Sequence, residues 1–220
     1  MRPPLSAPAR AAVRLYRQAP IAARLHVLVR WWTCPVPAVA AEIPARGRVL
    51  EVGCGHGLVS AYLAMESPDR VVVGVDVDRR KIDVAAAATA GVDNVRFVAV
   101  DADPSSLPAG PFDAVVIADV LYLLGGDARR RLLAACAERL GPAAVLVIKE
   151  IDTEPSWKHR LARVQELAAT RLLRITVGDE VEFAPPAVLR AELGRFRLDV
   201  ADRRIDRGYP HPHHLLVARP

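Results

Sequence analysis

Hydrophobic and polar positions alternate in blocks through the middle of the chain, from Arg46 to Ile151. Short apolar or β-branched runs, typical of buried strands, are separated by segments with the period of amphipathic helices. The strands are predicted at Val49–Val52, Val71–Val75, Val95–Val100, Ala114–Ala118 and Ala144–Ile148, and the helices at Leu58–Met65, Arg79–Ala90 and Ala128–Leu140. This order predicts an α/β fold whose mostly parallel sheet carries helices on both faces.

The segment before this core, residues 1–45, has a different pattern. Ile21, Leu25, Leu28 and Trp32 recur at spacings of four, three and four, which predicts one apolar face of an amphipathic helix. We treat residues 1–45 as an N-terminal helical lid that places this face over the core. The alternatives are a docked helix whose arginines are only solvated, and an Arg-rich transit peptide.

The pattern weakens beyond Ile151. It predicts helices at Trp157–Leu173 and Pro185–Leu193, and two last strands at Phe196–Val200 and Leu215–Ala218. The main domain is therefore assigned to residues 46–220, with a helical insertion at 151–185.

Composition narrows the class of protein. A chain of 220 residues with 25% charged residues suits one globular domain. No apolar run reaches the length of a membrane span, and the three cysteines match neither a disulfide framework nor a zinc site. These features predict a cytoplasmic protein without a bound metal. The formal net charge of +5, with six arginines before the first acidic residue at Glu42, favours anionic partners.

A glycine cluster follows the first core strand. Glu51 precedes Gly53, Gly55 and Gly57, and a predicted helix begins at Leu58. Glycines in such a loop permit a tight turn and the close approach of a ligand, and the helix start offers unpaired N–H groups. The spacing G-x-G-x-G differs from the G-x-G-x-x-G of dinucleotide-binding proteins.

A second acidic residue, Asp76, ends the next buried strand about 20 residues later, where a carboxylate can bind the two hydroxyls of a ribose. Asp76 could instead cap the following helix. Asp78 is better placed for that role, which leaves Asp76 for a ligand.

These motifs, with Asp101 after the third strand and the segment Pro111–Tyr122, resemble those of class I methyltransferases that use S-adenosylmethionine (SAM). The resemblance is closest to the small-molecule branch typified by ubiquinone and menaquinone biosynthesis methyltransferases. It implies a Rossmann-like seven-stranded sheet with an antiparallel last strand, SAM as cofactor and S-adenosylhomocysteine as product. The implied cofactor-binding residues are Glu51, Gly53, Cys54, Gly55, His56, Gly57, Asp76, Val77, Asp101, Ala102 and Asp119.

The catalytic residues are less determined, because methyl transfer needs a base only when the acceptor must lose a proton. The candidates are Asp119, Tyr122, Glu150 and His211. Asp119 could equally cap a turn, and Tyr122 could pack beside the cofactor. For Glu150 a solvated ion pair at the end of the sheet is slightly favoured over a catalytic role. The Pro- and His-rich loop at 206–214 could bring His211 to the mouth of the site.

The expected acceptor is a small or lipid-like molecule, apolar or phosphorylated, with O-methylation favoured over C-methylation. The Asn/Asp-Pro-Pro-Tyr sequence of enzymes that methylate DNA bases or glutamine side chains is missing after the fourth strand. No nucleic-acid partner is expected, whereas the arginines of the N-terminal helix could contact a membrane surface. The alternatives are a nicotinamide-dependent oxidoreductase and a non-catalytic SAM-binding subunit.

Overall fold

The computed structural model describes residues 6–152 and 183–220. Within them the helices are α1 Ala7–Leu15, α2 Ile21–Thr33, α3 Val36–Ala40, α4 Leu58–Glu66, α5 Arg79–Ala88, α6 Gly126–Ala137 and α7 Pro186–Gly194. The strands are β1 Gly47–Val52, β2 Arg70–Asp76, β3 Val95–Ala99, β4 Phe112–Ala118, β5 Leu140–Ile151, β6 Asp199–Arg204 and β7 His213–Arg219. The predicted helix Trp157–Leu173 and most of the predicted insertion at 151–185 lie outside the described residues.

All seven strands form one sheet in the order β3-β2-β1-β4-β5-β7-β6. Strands β1 to β5 pair in parallel, while β7 runs antiparallel to both of its neighbours, β5 and β6. This confirms the predicted Rossmann-like sheet with an antiparallel last strand. The order reverses between β1 and β4, so the carboxyl ends of these strands flank the crevice in which such sheets bind ligands.

Two apolar layers cover the sheet. Helices α1 to α4 pack on one face around Val49, Val72 and Val116, and helices α6 and α7 pack on the other around Leu50 and Ile117. The central strands contribute side chains to both layers, which explains why their sequences are apolar without interruption.

The structure corrects the predicted edge strand. It runs over Asp199–Arg204 instead of Phe196–Val200. Val200 is its one buried residue, so the strand lacks the apolar alternation from which a strand can be recognised. Helix α1, which was not predicted, begins at the N-cap Ser6 and buries only the small residues Ala9 and Ala12.

The predicted inward face of the N-terminal helix is also wrong. In α2 the buried residues are Ala23, Val27 and Trp31, on the side opposite the Ile21/Leu25 stripe. Ile21 and Leu25 are 81% and 61% exposed. Because both sides of α2 carry apolar residues, the sequence period alone could not select the side that packs on the core.

Candidate cofactor site

The glycine loop between β1 and α4 has the backbone geometry that only glycine adopts easily. Gly57 has φ +78°, and a Cβ atom there would lie 2.5 Å from the ring of Phe97 on β3. Gly55 has φ +54°, but no atom lies within 4 Å of the position of its missing Cβ. The loop thus packs tightly at Gly57 and stays open at Gly55, the side from which a ligand can approach.

Asp76 at the end of β2 supports this loop directly. Its Oδ2 accepts a hydrogen bond of 2.7 Å from the Gly55 N–H, and its Oδ1 accepts one of 2.9 Å from the Asp78 N–H. Asp78 caps α5 by accepting from the N–H groups of Arg80 and Lys81, which confirms its predicted capping role. Each oxygen of the Asp76 carboxylate still has a lone pair with which to bind a hydroxyl group.

Three further predicted residues line the open edge beside Asp76. Asp101 and Ala102 are exposed in the loop after β3, and Val77 is 50% exposed after β2. The Asp101 carbonyl accepts a hydrogen bond from the Ser106 hydroxyl at 3.1 Å, which holds the loop. These residues are accessible for an adenine ring and its amino group.

Glu51 lies below the loop and is only 2% exposed. Its Oε2 accepts hydrogen bonds from the N–H group of Ser60, at 2.7 Å, and from the Ser60 hydroxyl. Burial raises the pKa of Glu51 to about 7. A cavity of about 20 Å³ adjoins Glu51, room for about one water molecule.

Helix α2 closes this cavity with His26, which sequence reasoning did not identify, and with Arg30, which was expected to face a phosphate or a membrane. His26 packs its ring 4.8 Å from that of His56 in the glycine loop, and Arg30 also lines the cavity. Tyr16, just before α2, donates a hydrogen bond of 2.6 Å to the His56 carbonyl. A ligand larger than one water molecule could enter this cavity only if His26 or Arg30 moved.

Asp119, at the end of β4, joins three elements of the site. It has φ +57° and is almost fully buried. Its Oδ2 accepts from the Arg30 guanidinium at 2.8 Å and from the Lys149 ammonium at 2.6 Å. Burial alone would raise the pKa of Asp119, but the Lys149 and Arg30 charges hold that pKa below its usual range. The carboxylate is therefore a fixed anion, unsuited to accept a proton.

The favoured expectation for Glu150, a solvated ion pair, is wrong. Glu150 is 4% exposed, and its Oε1 accepts hydrogen bonds from the Val120 and Leu121 N–H groups at 3.0 and 2.8 Å. Burial, with the Asp119 charge nearby, raises the pKa of Glu150 to about 8. Glu150 thus stabilises the turn after β4 through these hydrogen bonds. Lys149, which is fully buried, forms an ion pair with Asp119.

The two remaining catalytic candidates, Tyr122 and His211, are both buried, at 6% and 8% exposure. Tyr122 is buried and stacks on Phe183 at 5.1 Å between ring centres, as expected of a packing residue. His211 lies 5.9 Å from the ring of His213. Burial and the Lys149 charge lower the pKa of His211, so its imidazole is neutral at neutral pH. A neutral imidazole can accept a proton.

His213 is a further residue that sequence reasoning missed. Its Nε2 lies 2.6 Å from the Thr33 carbonyl oxygen and must donate to it, since a carbonyl can only accept. Burial lowers the pKa of His213 to about 3. The residue therefore ties the end of α2 to β7 beside Asp119. The described residues contain no group of three potential metal ligands.

The raised pKa of Glu150 predicts a measurable pH dependence. The folded protein holds a proton on Glu150 up to about pH 8, whereas the unfolded chain loses it near pH 4.5. The stability from this group is complete below pH 4.5 and is lost as the pH rises toward 8. E150Q keeps the acceptor oxygen but does not titrate. We therefore expect its free energy of unfolding to rise by about 1 kcal/mol or more relative to that of wild type as the pH increases from 5 to 8. Urea unfolding at each pH measures this, and a constant difference between the two proteins would contradict it.

The fold and the site together define a class, that of Rossmann-like methyltransferase domains. A family model described as a methyltransferase domain matches residues 49–143. A ubiquinone biosynthesis O-methyltransferase of Xanthomonas axonopodis pv. citri is 28% identical over 188 residues, covering 79% of this chain and 77% of the relative. A trans-aconitate 2-methyltransferase of Streptomyces avermitilis is 32% identical over 152 residues, covering 66% and 55%.

Solved structures agree on the fold. The pyocyanin biosynthetic protein PhzM superposes with a TM-score of 0.71 at 21% identity, covering 94% of this chain and 61% of that one. An O-methyltransferase family protein of Burkholderia thailandensis superposes with a TM-score of 0.67 at 19% identity, covering 90% and 56%. Residues 49–143 of this chain thus form a methyltransferase domain, and the fold is that of solved SAM-dependent methyltransferases.

Proposed function

We propose that the protein transfers the methyl group of SAM to a hydroxyl group of a small or lipid-like acceptor. The observation that carries the proposal is the set of carboxylates at the carboxyl ends of β1 to β3, arranged around a glycine loop that is open at Gly55. Asp76 would bind the ribose hydroxyls, Asp101 the adenine amino group, and Glu51 with the loop the methionine end.

The relatives support a small-molecule acceptor. The match to the ubiquinone biosynthesis O-methyltransferase extends over 79% of this chain. The ribosomal protein L11 methyltransferase of Syntrophotalea carbinolica matches at 32% identity over 111 residues, which is 34% of that relative. The match to the enzyme whose name implies a protein acceptor is thus shorter than the match to the ubiquinone biosynthesis O-methyltransferase.

SAM would supply a methyl group bound to a sulfonium. The acceptor oxygen would form a bond to the methyl carbon while the carbon–sulfur bond breaks. The electron pair of the broken bond would stay on sulfur. The protein has to align the acceptor and take up its proton. We assign the uptake of this proton to His211, whose neutral imidazole is 8% exposed and lies 5.9 Å from the ring of His213. Asp119 and Glu150 are occupied by their own hydrogen bonds. C-methylation is the nearest alternative; the acceptor carbon would then lose the hydrogen that the methyl group replaces, so a proton acceptor is needed there too.

The cofactor assignment is tested by isothermal titration with SAM, S-adenosylhomocysteine and NADH. We expect the first two to bind and NADH not to bind. Binding of NADH alone would indicate the oxidoreductase alternative. Binding of SAM without methylation of either catechol or trans-aconitate as probe would favour the non-catalytic subunit.

The role of His211 gives a second expected result. H211N should lower the rate of methyl transfer to a hydroxyl acceptor by about 10²–10⁴-fold, the usual contribution of a general base. The SAM dissociation constant should stay within about twofold, as the proton acceptor does not hold the cofactor. H214N is a matched control, since His214 bonds Asp202 on β6 at 2.9 Å. Equal rates for H211N and H214N would remove His211 as the base.

A further inference from the structure

Helix α2 carries a continuous apolar surface on the side away from the core. We call Ile21, Leu25, Leu28, Val29 and Trp32 the outer apolar face. These side chains are between 43% and 81% exposed. They follow a helical stripe, because their spacings of four, three, one and three place them on one side of α2. Contiguous exposed apolar surface of this kind marks an interaction site more often than scattered single residues do.

The core does not need this face. The opposite side of α2 already packs through Val27 and Trp31, and it sends Arg30 into an ion pair with Asp119. Turning α2 to bury the outer apolar face would break these contacts. Ile21, Leu25, Leu28 and Val29 are thus available to a partner while the helix stays docked.

Basic residues lie along one side of the outer apolar face. Arg14 and Arg17 come from α1 and the turn after it, and Arg24 comes from α2; all three are exposed. Within the described part of the chain, no ion pair joins them to a carboxylate. With Val13 and Leu28, these arginines line a cavity of about 250 Å³ next to the outer apolar face. Phosphate-bearing ligands suit such a combination of guanidinium groups and apolar surface.

The charge around α2 points to an anionic partner. The chain has no acidic residue before Glu42, and Arg14, Arg17 and Arg24, unlike Arg30, have no carboxylate partner among the described residues. Five large apolar side chains would gain little from the polar surface of a nucleic acid. Apolar side chains flanked by arginines instead fit the boundary between the phosphates and acyl chains of a bilayer.

We propose that α2 docks on an anionic lipid bilayer, with the outer apolar face among the acyl chains and Arg14, Arg17 and Arg24 on lipid phosphates. The inner side of the same helix closes the candidate cofactor site through His26 and Arg30. Docking would therefore place the site directly above the membrane, where an apolar acceptor is concentrated. The docking itself does not rest on the proposed methyl transfer and is measured without SAM or acceptor.

The test uses the full chain and vesicles of phosphatidylcholine, with or without an equal share of phosphatidylglycerol, in a sedimentation assay. We expect binding to the anionic vesicles only. It should weaken strongly between about 0.1 M and about 1 M salt, where the screening length falls from about 10 Å to about 3 Å. Equal binding to both vesicle types, or to neither, would overturn the proposal.

Two variants separate the basic and apolar contributions. R14E/R24E should bind anionic vesicles more than about tenfold more weakly, because each arginine near an anionic surface contributes substantially to binding. R131E/R195E is the matched control: it changes the charge equally, but on exposed positions of α6 and at the end of α7. I21S/L25S removes two exposed apolar side chains and should also weaken binding about tenfold or more.

Other partners of the outer apolar face would give different results. If the two charge variants bound vesicles equally, net charge and not this surface would be responsible, and the proposal would fail. A dimer in light scattering that I21S/L25S dissociates would assign the face to a second copy of the chain and would likewise overturn it. Tight binding of a single-stranded oligonucleotide, lost in R14E/R24E, together with no vesicle binding, would assign it to nucleic acid.

Discussion

Replacement of Asp119 with alanine is expected to destabilise the protein by about 3–5 kcal/mol, the cost of leaving a buried charge without its partner. Lys149 is completely buried, and its ammonium group lies 2.6 Å from Asp119 Oδ2. Arg30 would lose the same partner, although its side chain is 26% exposed and can reach water. Urea unfolding at neutral pH measures the change.

A second substitution shows whether the buried charge is the cause. In D119A/K149M the ammonium is replaced by an apolar chain of similar length, and we expect more than half of the lost stability to return. D127A is the surface control: the Asp127 side chain is 81% exposed, so its loss should cost about 0.5 kcal/mol or less. If D119A/K149M were no more stable than D119A, the destabilisation would come from the backbone at φ +57° and not from the charge.

Replacement of Asp76 with alanine is expected to weaken SAM binding about hundredfold. Hydrogen bonds to a charged group contribute about 1.5–3 kcal/mol each, and a ribose diol would make two of them with this carboxylate. The substitution also removes the acceptor of the Gly55 N–H and so loosens the glycine loop. Isothermal titration with SAM and with S-adenosylhomocysteine measures the loss, which should be similar for the two compounds because they share the ribose.

D83A is the control for Asp76. Asp83 lies exposed on α5, one turn from the site, and its removal changes the charge equally. Thermal unfolding of D76A without ligand separates loss of folding from loss of binding. SAM affinity in a folded D76A protein equal to that of D83A would exclude the assignment of Asp76 to the ribose.

The local sequence determined the sheet and the part of the site that is built at strand ends. The apolar runs in β2 and β4 predict strands buried on both faces, and this is how these strands lie in the structure. Gly57 and Asp76 could be assigned from spacing because the backbone of a strand–turn–helix unit follows from a few neighbouring residues. Asp78 was likewise identified as a cap from its place before α5.

Tertiary contacts decided what the sequence left open. Arg30 and Asp119 are 89 positions apart, so no periodic pattern connects them. Lys149 and Glu150 resemble a solvated ion pair in sequence, yet β5 is covered on both faces and on both edges, and this buries both residues. The sequence also could not predict which side of α2 is buried, because both sides are apolar. The helices on which α2 packs determine which side faces the core. Local preferences thus determined each element, while the burial and pairing of its charges depended on elements distant in the chain.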